Sequence, residues 1–192
     1  MRFSLGLGPG RYVGFVATWD PDAETSRPLD YRLVHNSFVT MFWRVSLFEE
    51  TLQWLGSQAY DLVEFDASSW ASAADMFNDI AVGLDFPDHF GRNFDGLNDC
   101  MGDVASGDYG WDASATGLVV VLRAFDRFAA ADRLAAQTLL DIFASQARSA
   151  LLVGNRVICL VQSDDPQLSF EPVGAMPVLW NDAEWLRSKR KR

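Results

Sequence analysis

Three stretches of the chain have the hydrophobic pattern of β-strands. Apolar and acidic side chains alternate at residues 61–66, which is typical of a strand with one exposed face. The runs at 118–122 and 156–162 are almost wholly apolar, as in strands that are buried on both faces of a sheet. Residues 105–117, which precede the apolar run at 118–122, have the composition of a turn or loop.

Apolar residues spaced three and four apart predict three helices between these strands. One begins at a possible capping box, Ser72 and Asp75, and runs to about Leu84. The others cover Asn93–Val104 and 132–150. The predicted inner faces of the first and third helices are Ala73, Phe77, Ile80 and Leu84, then Ala136, Leu139, Leu140, Phe143 and Ala147. This order of elements predicts an α/β fold, in which a small parallel β-sheet is packed by helices.

Residues 1–60 predict a β-rich N-terminal extension. They hold eleven of the 25 aromatic residues, so they should be folded. Strands are predicted at 11–18, 31–35 and 38–48, although 38–55 also tolerates a helix. We expect antiparallel strands packed on the main domain, either as an added layer of core or as a second binding surface. The predicted organisation is an extension at 1–60, a main domain at 61–163, and a C-terminal segment at 164–192 that ends in a basic tail.

Acidic residues are concentrated in one part of the chain. From Asp61 to Asp112 there are twelve acidic residues and one basic residue, a net charge of −11 against −10 for the whole chain. Charge of this density speeds encounter with a cationic partner, and salt weakens the effect. The alternative is a solvated acidic surface that aids solubility. The final RSKRKR is most simply a solvated tail, so direct nucleic-acid binding is not expected.

Within this acidic stretch, the Asn93–Val104 helix separates charge from core. Asn93 is a good N-cap. At 100° per residue, one side of the helix is apolar and the opposite side is acidic. The apolar side holds Phe94, Leu97, Cys100, Met101 and Val104; the acidic side holds Asp95, Asp99 and Asp103, flanked by Asn98 and Gly102. Asp95 and Asp99 repel each other at a cost of ~0.2–0.5 kcal/mol, which favours a surface that meets a positive partner.

The segment from Phe86 to Cys100 resembles the signature of barstar-type ribonuclease inhibitors. A proline-led loop, a glycine, an N-cap and two aspartates at helical spacing carry the resemblance. The matching residues are Phe86, Pro87, Phe90, Gly91, Asn93, Asp95, Leu97, Asp99 and Cys100. The resemblance extends more weakly from Asp61 to Gln162, through the order of elements. It implies the barstar fold and an intracellular immunity protein, which plugs the cleft of a cationic ribonuclease with carboxylates standing where phosphates would be.

The resemblance also implies which residues contact the partner. Asp99 would be the deepest anion, with Asp95 beside it, and Gly91 would let the loop backbone approach closely. The remaining implied contacts are His89, Asn93, Asn98, Gly102 and Gln137. His89 and Asn98 stand where the family has aromatic residues, and Gln137 stands, in a loose alignment, where it has a glutamate. Two aromatic contacts and one charge are therefore missing.

Other functional classes find little support in the sequence. We expect no enzyme, since Cys100 and Asp99 lie on opposite sides of the predicted helix and cannot form a nucleophile set with His89. No cofactor or metal is expected, because the three aspartates lie along a helix without a loop to wrap an ion. The chain has no apolar run of 18 residues, so no membrane span is expected, and its two cysteines in predicted core positions are consistent with the cytoplasm. The alternatives left open are a barstar-fold interaction or scaffolding module without a nuclease partner, and a metal-dependent hydrolase.

Overall fold

A five-stranded parallel sheet organises the computed structural model, which describes residues 27–186 and residue 190. Its strands are β1 Val39–Phe42, β2 Asp61–Asp66, β3 Leu118–Arg123, β4 Val157–Gln162 and β5 Leu179–Trp180. Their order across the sheet is β2-β3-β4-β1-β5. The predicted α/β fold is confirmed, and the strands predicted at 61–66, 118–122 and 156–162 are β2, β3 and β4.

Helices cover both faces of this sheet. Those in the described residues are α1 Leu29–Val34, α2 Val45–Ser57, α3 Ala73–Gly83, α4 Phe94–Ser106, α5 Phe125–Ala131 and α6 Arg133–Leu152. Leu118 and Val120 of β3 pack with α3, α4, α5 and α6, whereas Val119 and Val121 pack with α1 and α2. Because both faces are covered, β3 and β4 are apolar throughout, as the sequence pattern indicated. None of the described helices combines the length and the hydropathy needed to cross a bilayer.

The three predicted helices are confirmed as α3, α4 and α6, and a side chain caps the N-terminus of the last two. Asn93 accepts a hydrogen bond from the Gly96 N–H (2.8 Å), and Asp132 accepts one from Ala135 (3.0 Å). Ser72 precedes α3 as predicted, but its hydroxyl donates to the Asp75 carboxylate (2.9 Å) rather than accepting from the backbone. The short helix α5 was not predicted.

The prediction of an antiparallel extension at 1–60 is wrong for the residues that the structure describes. The stretch predicted as a strand at 31–35 lies in α1, and that at 38–48 divides between β1 and the start of α2. Strand β1 is parallel to both of its neighbours, β4 and β5, and so lies inside the main sheet. The region does add a layer of core, since Phe48, Leu52 and Leu55 of α2 pack on the sheet. The strand predicted at 11–18 lies outside the described residues.

The C-terminal segment completes the same sheet. After β5 pairs with β1, the fully buried carboxylate of Glu184 accepts the backbone N–H groups of Trp43 (3.1 Å) and Arg44 (2.9 Å). It also accepts from Nε of Arg44 at 2.9 Å. These groups stand at the start of α2, so Glu184 caps that helix from far along the chain. Arg190, the described residue of the basic tail, is buried and donates to the carbonyl oxygen of Pro166.

Candidate partner-binding surface

Helix α4 holds three exposed aspartates, Asp95, Asp99 and Asp103, on a firmly buried support. Leu97, Met101 and Val104 are fully buried against the core. Asp95 and Asp99, on the other side, are exposed, as the helical pattern predicted. Neither carboxylate accepts a hydrogen bond or forms an ion pair with any residue that the structure describes. Both carboxylates therefore stand on a firmly anchored helix and are free to accept hydrogen bonds from a partner.

The loop before α4 is supported by aromatic side chains. The Phe90 ring packs edge-on against Phe86 (centroids 5.1 Å apart) and Phe77 (6.1 Å), and Phe94 packs against Phe77 at 5.0 Å. The Phe90 N–H also donates to the carbonyl oxygen of Pro87 at 2.9 Å, closing a turn. This turn leaves His89 exposed beside the half-buried rings, four residues before the N-cap of α4.

Gly91 also has a role within this loop. Among the residues of the loop around it, Arg92 rather than Gly91 adopts the left-handed backbone, with φ of 47°. A Cβ atom at Gly91 would lie 2.9 Å from Nδ2 of Asn93, and that nitrogen donates to the Gly91 carbonyl oxygen at 3.2 Å. Gly91 therefore leaves room for the capping side chain of Asn93, while Arg92 makes the sharp change in direction.

Asn98 and Gly102 border the acidic face where α4 meets α6. Nε2 of Gln146 donates to Oδ1 of Asn98 (2.9 Å) and more weakly to its backbone oxygen (3.3 Å). A Cβ at Gly102 would stand 3.6 Å from Oε1 of the same Gln146, an ordinary contact distance. Gln146 was missed by the sequence reasoning, and its only signal was a polar residue near the inner side of a predicted long helix. It fixes Asn98 beside the two aspartates.

Gln137 lies apart from this surface. Its side-chain amide donates to the backbone oxygen of Glu171 and accepts from the N–H of the same residue, both at 3.1 Å. Gln137 precedes Gln146 by nine residues, which at 100° per residue places it about 180° around α6. The structure therefore does not bring Gln137 together with the other predicted contacts. Those that it does bring together, on α4 and its preceding loop, are His89, Gly91, Asn93, Asp95, Asn98, Asp99 and Gly102.

Little of the negative charge around α4 is neutralised internally. Of the twelve acidic residues between Asp61 and Asp112, only Glu64 forms an ion pair within the described part of the chain, with Arg123 at 2.7 Å. Asp103 accepts a hydrogen bond from the Tyr109 hydroxyl (3.3 Å), which also donates to the backbone oxygen of Cys100 (3.1 Å). Burial raises the pKa of Tyr109, and its contact with Cys100 and the charge of Asp103 add to this rise. Tyr109 thus stays a neutral donor at neutral pH.

The acidic face does not have the geometry of a metal centre. Within residues 27–186, no group of three or more His, Cys, Asp or Glu side chains is arranged to hold a metal ion. The aspartates of α4 instead follow one another along a helix, each one turn apart.

Comparison with known proteins agrees with this geometry. A family model for barstar (barnase inhibitor) matches residues 60–162, which is more than half of the chain. A search of curated proteins found no match to the chain. The matched range begins next to β2, ends with β4, and contains α4, its preceding loop and α6. The acidic helix therefore lies within the matched region, and the chain belongs to the barstar family of barnase inhibitors.

Proposed function

We propose that this chain inhibits a basic ribonuclease by inserting the acidic face of α4 into the active-site cleft. One observation carries the proposal: Asp95 and Asp99 are exposed and lack partners among the described residues, on a helix whose other side is fully buried. A cleft that binds RNA phosphates offers Arg, Lys and His donors. Carboxylates held in fixed positions accept charge-assisted hydrogen bonds from such donors in place of the phosphates.

The charge of the surrounding segment supports the same proposal. A net charge of −11 over 52 residues attracts a cation-lined protein and raises the rate of encounter. The buried support of α4 matters as well, because the backbone that carries the two aspartates is already ordered and loses little conformational entropy on binding. Electrostatic attraction thus brings the partner close, and the buried side of α4 keeps the two aspartates ready to dock.

Two positions on this surface define what kind of ribonuclease fits. Asn98 and His89 are polar where the family has aromatic residues, and Asn98 is already hydrogen-bonded to Gln146. The rim of the partner's cleft therefore meets a polar residue, Asn98, next to Asp99 in the chain. The half-buried rings of Phe86, Phe90 and Phe94 provide apolar surface on the loop side instead. We propose that the partner has a polar rim facing Asn98 and a small apolar contact facing this loop.

We place the chain in the cytoplasm as an immunity-type antidote. Cys100 and Cys159 are unpaired and buried, as expected for a reducing compartment. Burial raises the pKa of the Cys159 thiol, so it stays protonated and unreactive. The cysteines thus belong to the core, and we propose a protein inhibitor rather than an enzyme.

The direct test is inhibition of RNA cleavage. Purified full-length chain is added in increasing amounts to a basic ribonuclease of the barnase type, and cleavage of a fluorogenic RNA is followed. We expect cleavage to stop near one inhibitor per enzyme and the two proteins to co-elute in size-exclusion chromatography. Unchanged cleavage at a large excess of the chain over several basic ribonucleases, without co-elution, would contradict inhibition and favour a scaffolding module.

A further inference from the structure

A groove of about 380 Å³ lies between α1 and β5, and no residue of α4 or its preceding loop lines it. Its composition is unusual for a chain with a net charge of −10. The ionisable residues that line it are Arg27, Arg32, His35 and Asp182. Aromatic rings of Tyr31, Trp180 and Trp185 complete its walls. An arginine-rich, aromatic groove in an acidic protein favours an anionic, aromatic ligand.

Asn181 lines the groove and has a side-chain donor with no partner among the described residues. Asn181 is 5% exposed, and its Oδ1 accepts the Ala183 N–H at 3.0 Å, which identifies the other side-chain atom as the amide nitrogen. That nitrogen donates to no residue that the structure describes. This nitrogen is not enclosed, because no buried side-chain nitrogen or oxygen of the described residues lacks a partner. It is therefore accessible and offers one hydrogen bond to a ligand carbonyl or ring nitrogen.

The walls of the groove offer two aromatic faces. Trp185 is 64% exposed and Tyr31 is 39% exposed, which is high for side chains of this size. The Arg27 guanidinium lies over the Tyr31 ring, 4.4 Å from its centroid, and the His35 ring lies 5.4 Å away. Exposed rings next to arginines are the combination on which nucleobases stack.

An arginine in the groove is held by a carboxylate that a phosphate can replace. Arg32 donates from Nε (3.0 Å) and from Nη2 to Oδ2 of Asp182, and both side chains are well exposed. An exposed ion pair of this kind contributes little to stability. The planar guanidinium fits a phosphate as well as a carboxylate. Asp182 therefore occupies the position of the ligand anion in the free protein.

We propose that this groove binds a nucleoside monophosphate. The phosphate replaces Asp182 on Arg32, the base lies against Trp185 and the stacked pair of Arg27 and Tyr31, and the Asn181 amide donates to an acceptor on the base. The volume matches a ligand of about this size, at the small end of known ligand sites. This activity is separate from the proposed inhibition, because the groove shares no residue with the acidic surface.

Titration of the full chain with uridine 5′-monophosphate tests the proposal, with tryptophan fluorescence and calorimetry as readouts. We expect saturable binding, with uridine and inorganic phosphate each weaker by about ten-fold or more. Arg32→Gln should weaken binding by about ten-fold, whereas Asp182→Asn should tighten it several-fold by removing the competing carboxylate. The matched control is Arg148→Gln, an exposed arginine of α6 that does not line the groove, which should leave the affinity unchanged.

Three results would overturn the proposal. They are no saturable binding of any nucleoside monophosphate, inorganic phosphate binding as tightly as the nucleotide, and weaker binding by Asp182→Asn. An RNA oligonucleotide that binds far more tightly than the mononucleotide would also replace it as the ligand class. Arg32→Gln and Asp182→Asn should leave ribonuclease inhibition unchanged. The proposal for the groove and the proposal for the acidic surface are therefore tested independently.

Discussion

Replacing Asp99 by asparagine separates the role of this residue in binding from any role in folding. Asp99 is exposed and loses no hydrogen bond to a described residue. The change removes its repulsion with Asp95, one helical turn away, which is worth ~0.2–0.5 kcal/mol. The free energy of unfolding should therefore rise by at most about 0.5 kcal/mol. For a chain of this size, that raises the melting temperature by about 1–2 °C.

The expected effect of Asp99→Asn on binding is much larger. In the proposed complex, the carboxylate is desolvated and hydrogen-bonded by the cations of the cleft. Removing one partner of a buried, hydrogen-bonded charge pair costs ~2–5 kcal/mol. That loss raises the dissociation constant by roughly 30- to 5,000-fold. Most of the change should appear in the dissociation rate.

Inhibition constants and thermal melts of three proteins check this prediction. The matched control is Glu50→Gln, which also changes the net charge from −10 to −9 but lies exposed on α2, on the other face of the sheet. Glu50→Gln should alter the affinity by less than about three-fold. Equal affinities of the two variants would show that α4 is not the contact surface. A fall of several degrees in the melting temperature of Asp99→Asn would make Asp99 structural.

Three further predictions concern salt, the C-terminal segment and alkaline pH. In stopped-flow mixing, association should slow by roughly ten-fold between low and physiological ionic strength while dissociation changes little; a salt-independent association rate would place the contact away from the acidic stretch. Glu184→Ala should lower the free energy of unfolding in urea by about 1–3 kcal/mol, because the N–H groups of Trp43 and Arg44 lose their acceptor. The exposed carboxylate Glu171→Ala is its control, and equal losses would contradict the capping role. Since the pKa of Tyr109 is raised above its ordinary 10.0, its proton stabilises the folded state below that pH, and this stability is lost as pH rises above 10. Tyr109→Phe should therefore lose less stability between pH 9 and 11 in urea titrations, and a steeper loss would refute the assignment.

The parts of the fold that the sequence predicted are those with local signals. Helix α4 has its N-cap at Asn93 and a clean division between apolar and acidic sides, so both its position and its exposed face followed from neighbouring residues. Strand β1 was predicted only as part of a longer strand at 38–48, because its four buried residues indicate neither where the strand ends nor which strands it pairs with. The end of β1 and the start of α2 depend on Glu184, whose contact with Arg44 spans most of the chain. Helix α5 was not predicted. It ends at Asp132, which is also the N-cap of α6, so no loop separates the two helices in the sequence.

The sequence likewise predicted only part of the candidate surface. The exposed positions of Asp95 and Asp99 follow from helical periodicity alone. The contact between Asn98 and Gln146 joins residues 48 positions apart, on two helices whose packing the sequence pattern does not define. The position of Gln137, on the far side of α6, also depends on that packing. Local patterns therefore predict which side chains point outward, and tertiary contacts decide which of them share a surface.

Strand β1 also constrains the order in which this chain folds during synthesis. It is hydrogen-bonded to β4 and β5, both of which leave the ribosome long after it. Strands β2, β3 and β4 are neighbours in the sheet and follow one another along the chain, so they can assemble as they emerge. The apolar Val39–Phe42 segment must wait unpaired until β4 is complete, which exposes it to aggregation and to chaperones. We expect its insertion beside β4, with the pairing of β5 on its other side, to be the slow, last stage of folding.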